Sequence, residues 1–255
     1  MLAATLFRLF QTMTHTLQDL ENTLNRYQSM AFHTDPLVAQ KLAEITKWQK
    51  ARLALTNQPL FTAKGHELMA AYFLNRLYGG PNFDTLHSQI CKALPLMHRV
   101  EKMVPKAALE TSFLGVELSV LSVELDEALA KLLIANGHTG QLTAEAMRQL
   151  YLQANQQTQR AHQMDLLDQL GARLEKFGKS FVITTAFKMG KGSAYKRGLN
   201  DLYDFAGEGF AAMKPLKSVE SFIHTFTAAE RAMIDRVHAG DPEPFGPANH
   251  PALNP

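Results

Sequence analysis

Between Pro105 and the pair Asn136-Gly137, the chain carries Leu114, Leu118, Leu121, Leu125, Leu129 and Leu132, at spacings of three and four. Such spacing puts all six on one face of an α-helix. Val116, Val120 and Val123 widen that face. A helix apolar over so much of its circumference has to be surrounded by other elements rather than laid against one. The expectation is a long apolar central helix from about residue 106 to 136, and this fixes the rest of the chain as its packing partners.

The remaining sequence repeats the helical period. Leu17, Leu20, Leu24, Tyr27 and Met30 form one stripe, which Leu6, Phe7, Phe10 and Met13 extend backwards. Asp35-Pro36 is an N-cap followed by proline in the first turn, and opens a second helix through Val38, Leu42, Ile45 and Trp48 to about Asn57. A third runs from about Thr62 to a stop at Gly79-Gly80-Pro81. A fourth follows Asp84 and reaches about Val104, kinked or divided at Pro95. Thr143 caps one long helix to about Phe177, whose strongly polar middle, Gln153 to Gln163, is expected to be wet or to face a partner. Ser180 to Met189 is β-branched enough for a short strand, but its helical neighbours favour a short helix. Helices over about 193–213 and 218–239 complete an all-α, single-domain bundle of about eight or nine helices spanning 1–240. Residues 241–255 hold five prolines and few apolar groups, and are expected to be an extended or disordered tail.

Composition excludes several classes. The net charge is +2 with 20% charged residues, so no global field favours nucleic acid or an acidic membrane surface. No apolar run approaches the roughly 20 residues of a membrane span, and the first residues lack the basic leader and cleavage site of a signal peptide. The single cysteine, Cys91, rules out an intramolecular disulfide and fits a reducing cytoplasm.

The block Tyr72-Phe73-Leu74-Asn75-Arg76-Leu77-Tyr78 resembles the heptapeptide that names the bacterial FFLEELY motif proteins. Phe73, Leu74, Leu77 and Tyr78 match; Tyr72 replaces phenylalanine, and Asn75 and Arg76 replace the two acidic positions. Trp48 with Ala51-Arg52-Leu53, and Glu230-Arg231 through Ile234-Asp235-Arg236 to Pro244-Phe245, look similar as well, so the resemblance covers about 45–245. It implies a helical fold and carries no catalytic residue across.

Four constellations are candidates for chemistry. Asp84, His87 and Cys91 share a helical face and are of metal-ligating types, but need ligands from a second helix. His162, Asp165 and Asp168, with Glu117, Glu124 and Glu127, could build a carboxylate site between helices, although the paired Glu-x-x-His pattern of di-iron bundles is absent. The connection Lys188 to Gly198 is basic and punctuated by Gly190 and Gly192. There Lys191, Ser193, Lys196 and Arg197 would gather round an anion, with Ser193 opening a helix. Finally, Trp48 and Arg52 stand four apart, so that Arg52 could stack on the indole and hold an acidic group.

No nucleophile or phosphate-loop motif accompanies these, and no cofactor is favoured. The favoured reading is a non-enzymatic protein that binds a protein partner, a second copy of itself, or a small apolar or anionic ligand. Eleven methionines and fifteen phenylalanines suit adaptable apolar surfaces. The alternative is a helical oxidoreductase with a metal or haem between helices.

Overall fold

The structure, a computed structural model, describes residues 16–78, 83–100, 106–178, 180–247 and 250–254. The Leu6 to Met13 stripe and the Gly79-Gly80-Pro81 stop lie outside these. Among the described residues the chain is all-α, with eleven α-helices rather than eight or nine and no strand. They are α1 (Leu17–Gln28), α2 (Pro36–Thr56), α3 (Gln58–Phe61), α4 (Glu67–Tyr72), α5 (Phe83–Val100), α6 (Lys106–Ala135), α7 (Ala144–Ala154), α8 (Gln157–Gly178), α9 (Phe181–Lys196), α10 (Asn200–Met213) and α11 (Val219–His238). A 3₁₀ turn, Ala31–His33, precedes α2, and a π-turn, Phe73–Leu77, follows α4.

The excess over the expected number has local causes. The single helix expected over 143–177 is broken at Asn155, which takes a left-handed conformation (φ 49°) between α7 and α8. Asparagine tolerates that conformation better than other non-glycine residues. The other addition is the short α3, Gln58–Phe61, with Pro59 in its first turn. Gly198, at φ 67°, only shifts the boundary between α9 and α10 away from the expected Ser193. Pro95 lies inside α5 without dividing it. Starts are set by side-chain caps: a reciprocal Thr16–Asp19 capping box for α1, Asp35 accepting from the Leu37 and Val38 amides for α2, and Ser218 for α11.

Packing follows the apolar stripes. α6 lies against α1, α2, α7 and α8, and α8 also packs along α11. That second pairing is close: a Cβ on Gly171 of α8 would sit 2.9 Å from Ile223 Cβ of α11. One core joins Ile45 and Trp48 of α2 to Leu129, Leu133, Tyr151 and Val237. A second gathers Phe61, Phe73, Phe222 and Phe226, with Met164 and Leu167, and a third holds Leu17, Leu20, Leu24 and Tyr27 against Val116 and Val120. Beyond Gly240 the described residues form no helix, but they are fastened to the first core. Phe245 and Leu253 are fully buried, and Trp48 Nε1 donates to the Leu253 carbonyl at 3.1 Å. Trp48 and Phe245 meet edge to face with ring centroids 5.0 Å apart. The apolar content of this segment is small, but two side chains placed at the core suffice to hold it.

Candidate functional site: a cavity with a buried polar wall

The helices line a partly open cavity of about 1140 Å³ to which every α-helix except α3 contributes. Most of its wall is apolar: Leu118 of α6, Leu167 and Leu174 of α8, Phe187 of α9, Phe205 and Phe210 of α10. Interrupting that wall is a set of polar side chains drawn from α2, α6, α7, α8, α11 and the π-turn.

α2 supplies Gln49 and Arg52, one turn apart on the buried face. Arg52, 3% exposed, forms an ion pair through Nη1 with Glu230 of α11, itself 4% exposed. Its Nη2 donates to Gln49 Oε1 at 3.2 Å, Gln49 Nε2 donates to the Tyr151 hydroxyl at 2.6 Å, and Asn57 Nδ2 donates to Glu230 Oε1 at 3.0 Å. Burial alone would lower the Arg52 pKa, but the Glu230 carboxylate prevails and raises it, so the guanidinium stays charged. A buried pair of this kind survives only because the remaining lone pairs and protons find partners.

The π-turn brings a second pair together. Tyr78 N donates to Phe73 O at 2.9 Å across five residues, a turn one residue wider than an α-helical one. The extra residue turns the following side chain back by about 100°, and the Tyr78 hydroxyl donates to Asp126 Oδ2 of α6 at 2.6 Å. Asp126 is 4% exposed. Burial raises its carboxyl above the ordinary range, a rise reduced by the nearby Arg160 charge and by the Tyr78 hydrogen bond. Burial, reinforced by Asp126, likewise pushes the Tyr78 phenol well above its usual value. At neutral pH Tyr78 is therefore a fixed donor.

Arg160 of α8 completes the wall and is less well served. It is 5% exposed, its guanidinium lies 4.1 Å from the centre of the Tyr151 ring, and Nη2 reaches Gln156 Oε1 only at 3.4 Å. Its Nε is sealed from solvent without a hydrogen-bond partner, as is Arg52 Nε. Beside it, Gln163 Nε2 donates to Ser122 Oγ at 2.7 Å. The stretch expected to be wet is exposed at Gln153, Asn155, Gln157, Thr158, Gln159 and His162, but it places Arg160 and Gln163 in the interior.

The sequence candidates fare differently. Arg52 belongs to the cavity wall, but it turns to Glu230, while Trp48 is a core anchor engaged with Leu253 and Phe245. Lys191, Ser193 and Lys196 lie within α9 and Arg197 caps its end. No glycine loop exists there, Ser193 opens no helix, and its hydroxyl accepts from Arg197. The amides that would have cradled an anion are spent in the helix. Asp84 accepts from the Tyr27 hydroxyl at 2.6 Å, His87 meets the Leu24 carbonyl at 3.1 Å, and Cys91 stands 3.8 Å from His87. Asp165 and Asp168 pair with Arg231, Glu117 and Glu124 pair with Arg26, and Glu127 pairs with Lys131, while His162 is exposed. Among the described residues no three or more of His, Cys, Asp and Glu are placed to hold a metal ion. No helix among them is long and apolar enough to cross a membrane.

Reading the sequence missed Asp126, Arg160, Gln163 and Tyr151 as site residues. The one available signal was Asp126, whose neighbours three and four residues away, Val123, Leu129 and Ala130 beside Ser122, are mostly apolar.

The described residues form an all-helical fold with a partly open cavity and buried polar side chains in its wall. Over residues 28–244 the chain matches the family described as Domain of unknown function (DUF8198), and it belongs to that family. No curated protein and no solved structure matches it significantly.

Proposed function

We propose that this protein is a non-enzymatic binder that encloses an elongated, largely apolar small molecule in the cavity between its helices. The observation that carries this reading is the cavity itself: about 1140 Å³ and apolar over most of its wall. Small-molecule sites commonly measure about 300–1,000 Å³ and share this mixture of apolar lining and few polar groups. An apolar occupant would take the leucine and phenylalanine walls out of contact with water.

Gly115 of α6 supplies the test. It lines the cavity, and a Cβ there would meet nothing within 4 Å. Gly115→Leu should stabilise α6 by about 0.5–1 kcal/mol through helix propensity while its side chain fills part of the space. Titration with the neutral fluorophore N-phenyl-1-naphthylamine should give saturable binding to the wild type and at least tenfold weaker binding to the variant. Equal binding by both proteins, or none by the wild type, would sink the proposal.

A further inference from the structure

The two sides of α9 are unlike. Ile183, Phe187, Gly190 and Ala194 recur at spacings of four and three, so they share one face, and all four are half-buried. Ile183 and Phe187 line the cavity, and Phe187 stacks on Tyr203 of α10 with ring centroids 4.2 Å apart. The opposite side, an arc of about 160°, carries Lys188, Met189, Lys191, Tyr195 and Lys196, and all five are exposed. Met189, 80% exposed, is the most exposed large apolar side chain among the described residues.

Charge is distributed just as unevenly. From 181 to 197 the chain holds four cations, Lys188, Lys191, Lys196 and Arg197, and no carboxylate. The small net charge of the whole chain conceals this concentration. Among the described residues none of the three lysines forms an ion pair, and Lys191 instead lies 5.3 Å from the centre of the Tyr195 ring. The acids of α10 are engaged by other groups: Asp204 accepts from the Tyr195 hydroxyl, Asp201 from Gln89, and Glu208 pairs with Arg76.

We propose that this face of α9 docks on an anionic lipid bilayer, with its lysines at the headgroup phosphates and Met189 entering the boundary between headgroups and acyl chains. Clustered lysines are drawn to anionic lipid at short range. Their apolar stems lie along the interface while the ammonium groups stay in water, which lets an apolar side chain between them go deeper. A bilayer fits better than an acidic protein because α9 is also cavity wall, so docking there sets the cavity one helix away from a hydrocarbon phase. That choice rests on the reading of the cavity as a site for an apolar molecule.

Cosedimentation of the full chain with vesicles tests the docking. Vesicles with about one part in three phosphatidylglycerol should bind at least tenfold more tightly than vesicles of phosphatidylcholine alone. Raising the salt from about 0.1 M to about 1 M should remove most of that difference, because the screening length falls from about 10 Å to about 3 Å. Replacing the three lysines together (Lys188→Gln, Lys191→Gln, Lys196→Gln) should lower affinity for the anionic vesicles at least tenfold. Helicity should not change, since glutamine is about as good a helix former as lysine. Met189→Ser should lower affinity severalfold at both salt concentrations. Equal binding to both kinds of vesicle, or a triple variant that binds as the wild type does, would overturn the proposal. No binding to anionic vesicles together with retention on immobilised poly-L-glutamate would also overturn it, and would assign the face to an acidic protein. None of the three lysines lines the cavity, so the triple variant should still bind N-phenyl-1-naphthylamine. Probe binding by a wild type that ignores vesicles would sink the docking alone. Vesicle binding by a wild type that ignores the probe would sink the cavity reading and leave the docking surface.

Discussion

The Arg52–Glu230 pair offers the sharpest test of how the interior is held together. Glu230→Gln keeps the shape and the oxygen that accepts from Asn57, but it removes the charge opposite Arg52 and turns an amide donor or a weaker acceptor toward Nη1. Both partners are 3–4% exposed, so water cannot replace the lost carboxylate. Breaking a buried pair from one side costs about 3–5 kcal/mol, because the surviving charge is left uncompensated. In a chain of this length each kcal/mol moves the thermal midpoint by about 2–4 °C, so a fall of roughly 6–20 °C is expected. Urea unfolding of the single variant, of Arg52→Met, and of Arg52→Met combined with Glu230→Leu would complete the measurement. The double variant should recover most of the loss, since an apolar pair of similar volume is often as stable as the ions it replaces. A loss under 1 kcal/mol for Glu230→Gln would refute the burial argument, for that is the value of an exposed pair. A double variant no better than the singles would show that the pair is not isolated from the rest of the wall.

Other substitutions test separate links in the same argument. Gly171→Ala should destabilise by about 1–3 kcal/mol in urea, because its Cβ must push Ile223 and α11 away from α8; an unchanged midpoint would mean the two helices are not in close contact. Phe245→Ala should cost about 3–5 kcal/mol, the price of a large core aromatic, whereas a mobile C-terminal segment would lose nothing measurable. Asp126→Asn should flatten the pH dependence of stability. The folded protein holds the Asp126 proton to higher pH than the unfolded chain does, so wild-type stability falls as pH rises from about 4 through the raised folded value. Arg160, Tyr78 and Arg52 are the charged or titratable neighbours that limit the effect. Urea midpoints at pH 4, 5, 6 and 7 that slope identically in both proteins would contradict it.

The helical class was legible because apolar spacing is a local property. Leu17 to Tyr27 and Val38 to Trp48 announce buried helix faces without any knowledge of what covers them, and Asp35-Pro36 marks a helix start by its own chemistry. The interruptions were less so. Asn155 sits in a polar run that suits a continuous exposed helix equally well, and only its left-handed backbone separates α7 from α8. The same ambiguity hid the polar wall. Gln153 to Gln163 looks like a solvated surface because burial of Arg160 depends on Tyr151, one helix earlier, and Asp126, on another. Conversely, Lys188 to Arg197 looks like an anion loop because two glycines raise that expectation, and the helix forms through them regardless.

The aromatic block shows how a short segment joins these levels. In an uninterrupted α-helix Tyr78 would lie about 140° round from Phe73, so the two rings could not both face inward. Phe73 is buried against Phe226 with centroids 4.6 Å apart, and that contact fixes the orientation of α4. The π-turn moves Tyr78 back by about one residue's rotation, to within roughly 40° of Phe73. Its hydroxyl can then reach Asp126 while Phe73 stays in the aromatic core. The i→i+5 bond is therefore what allows one turn of chain to serve both the packing of α4 and the polar wall of the cavity. Arg76, carried on the same turn, also lines the cavity and pairs with Glu208 of α10 at 2.6 Å. Replacing the π-turn with a regular helical turn, by deleting one residue between Phe73 and Tyr78, should keep one of the two inward contacts and lose the other.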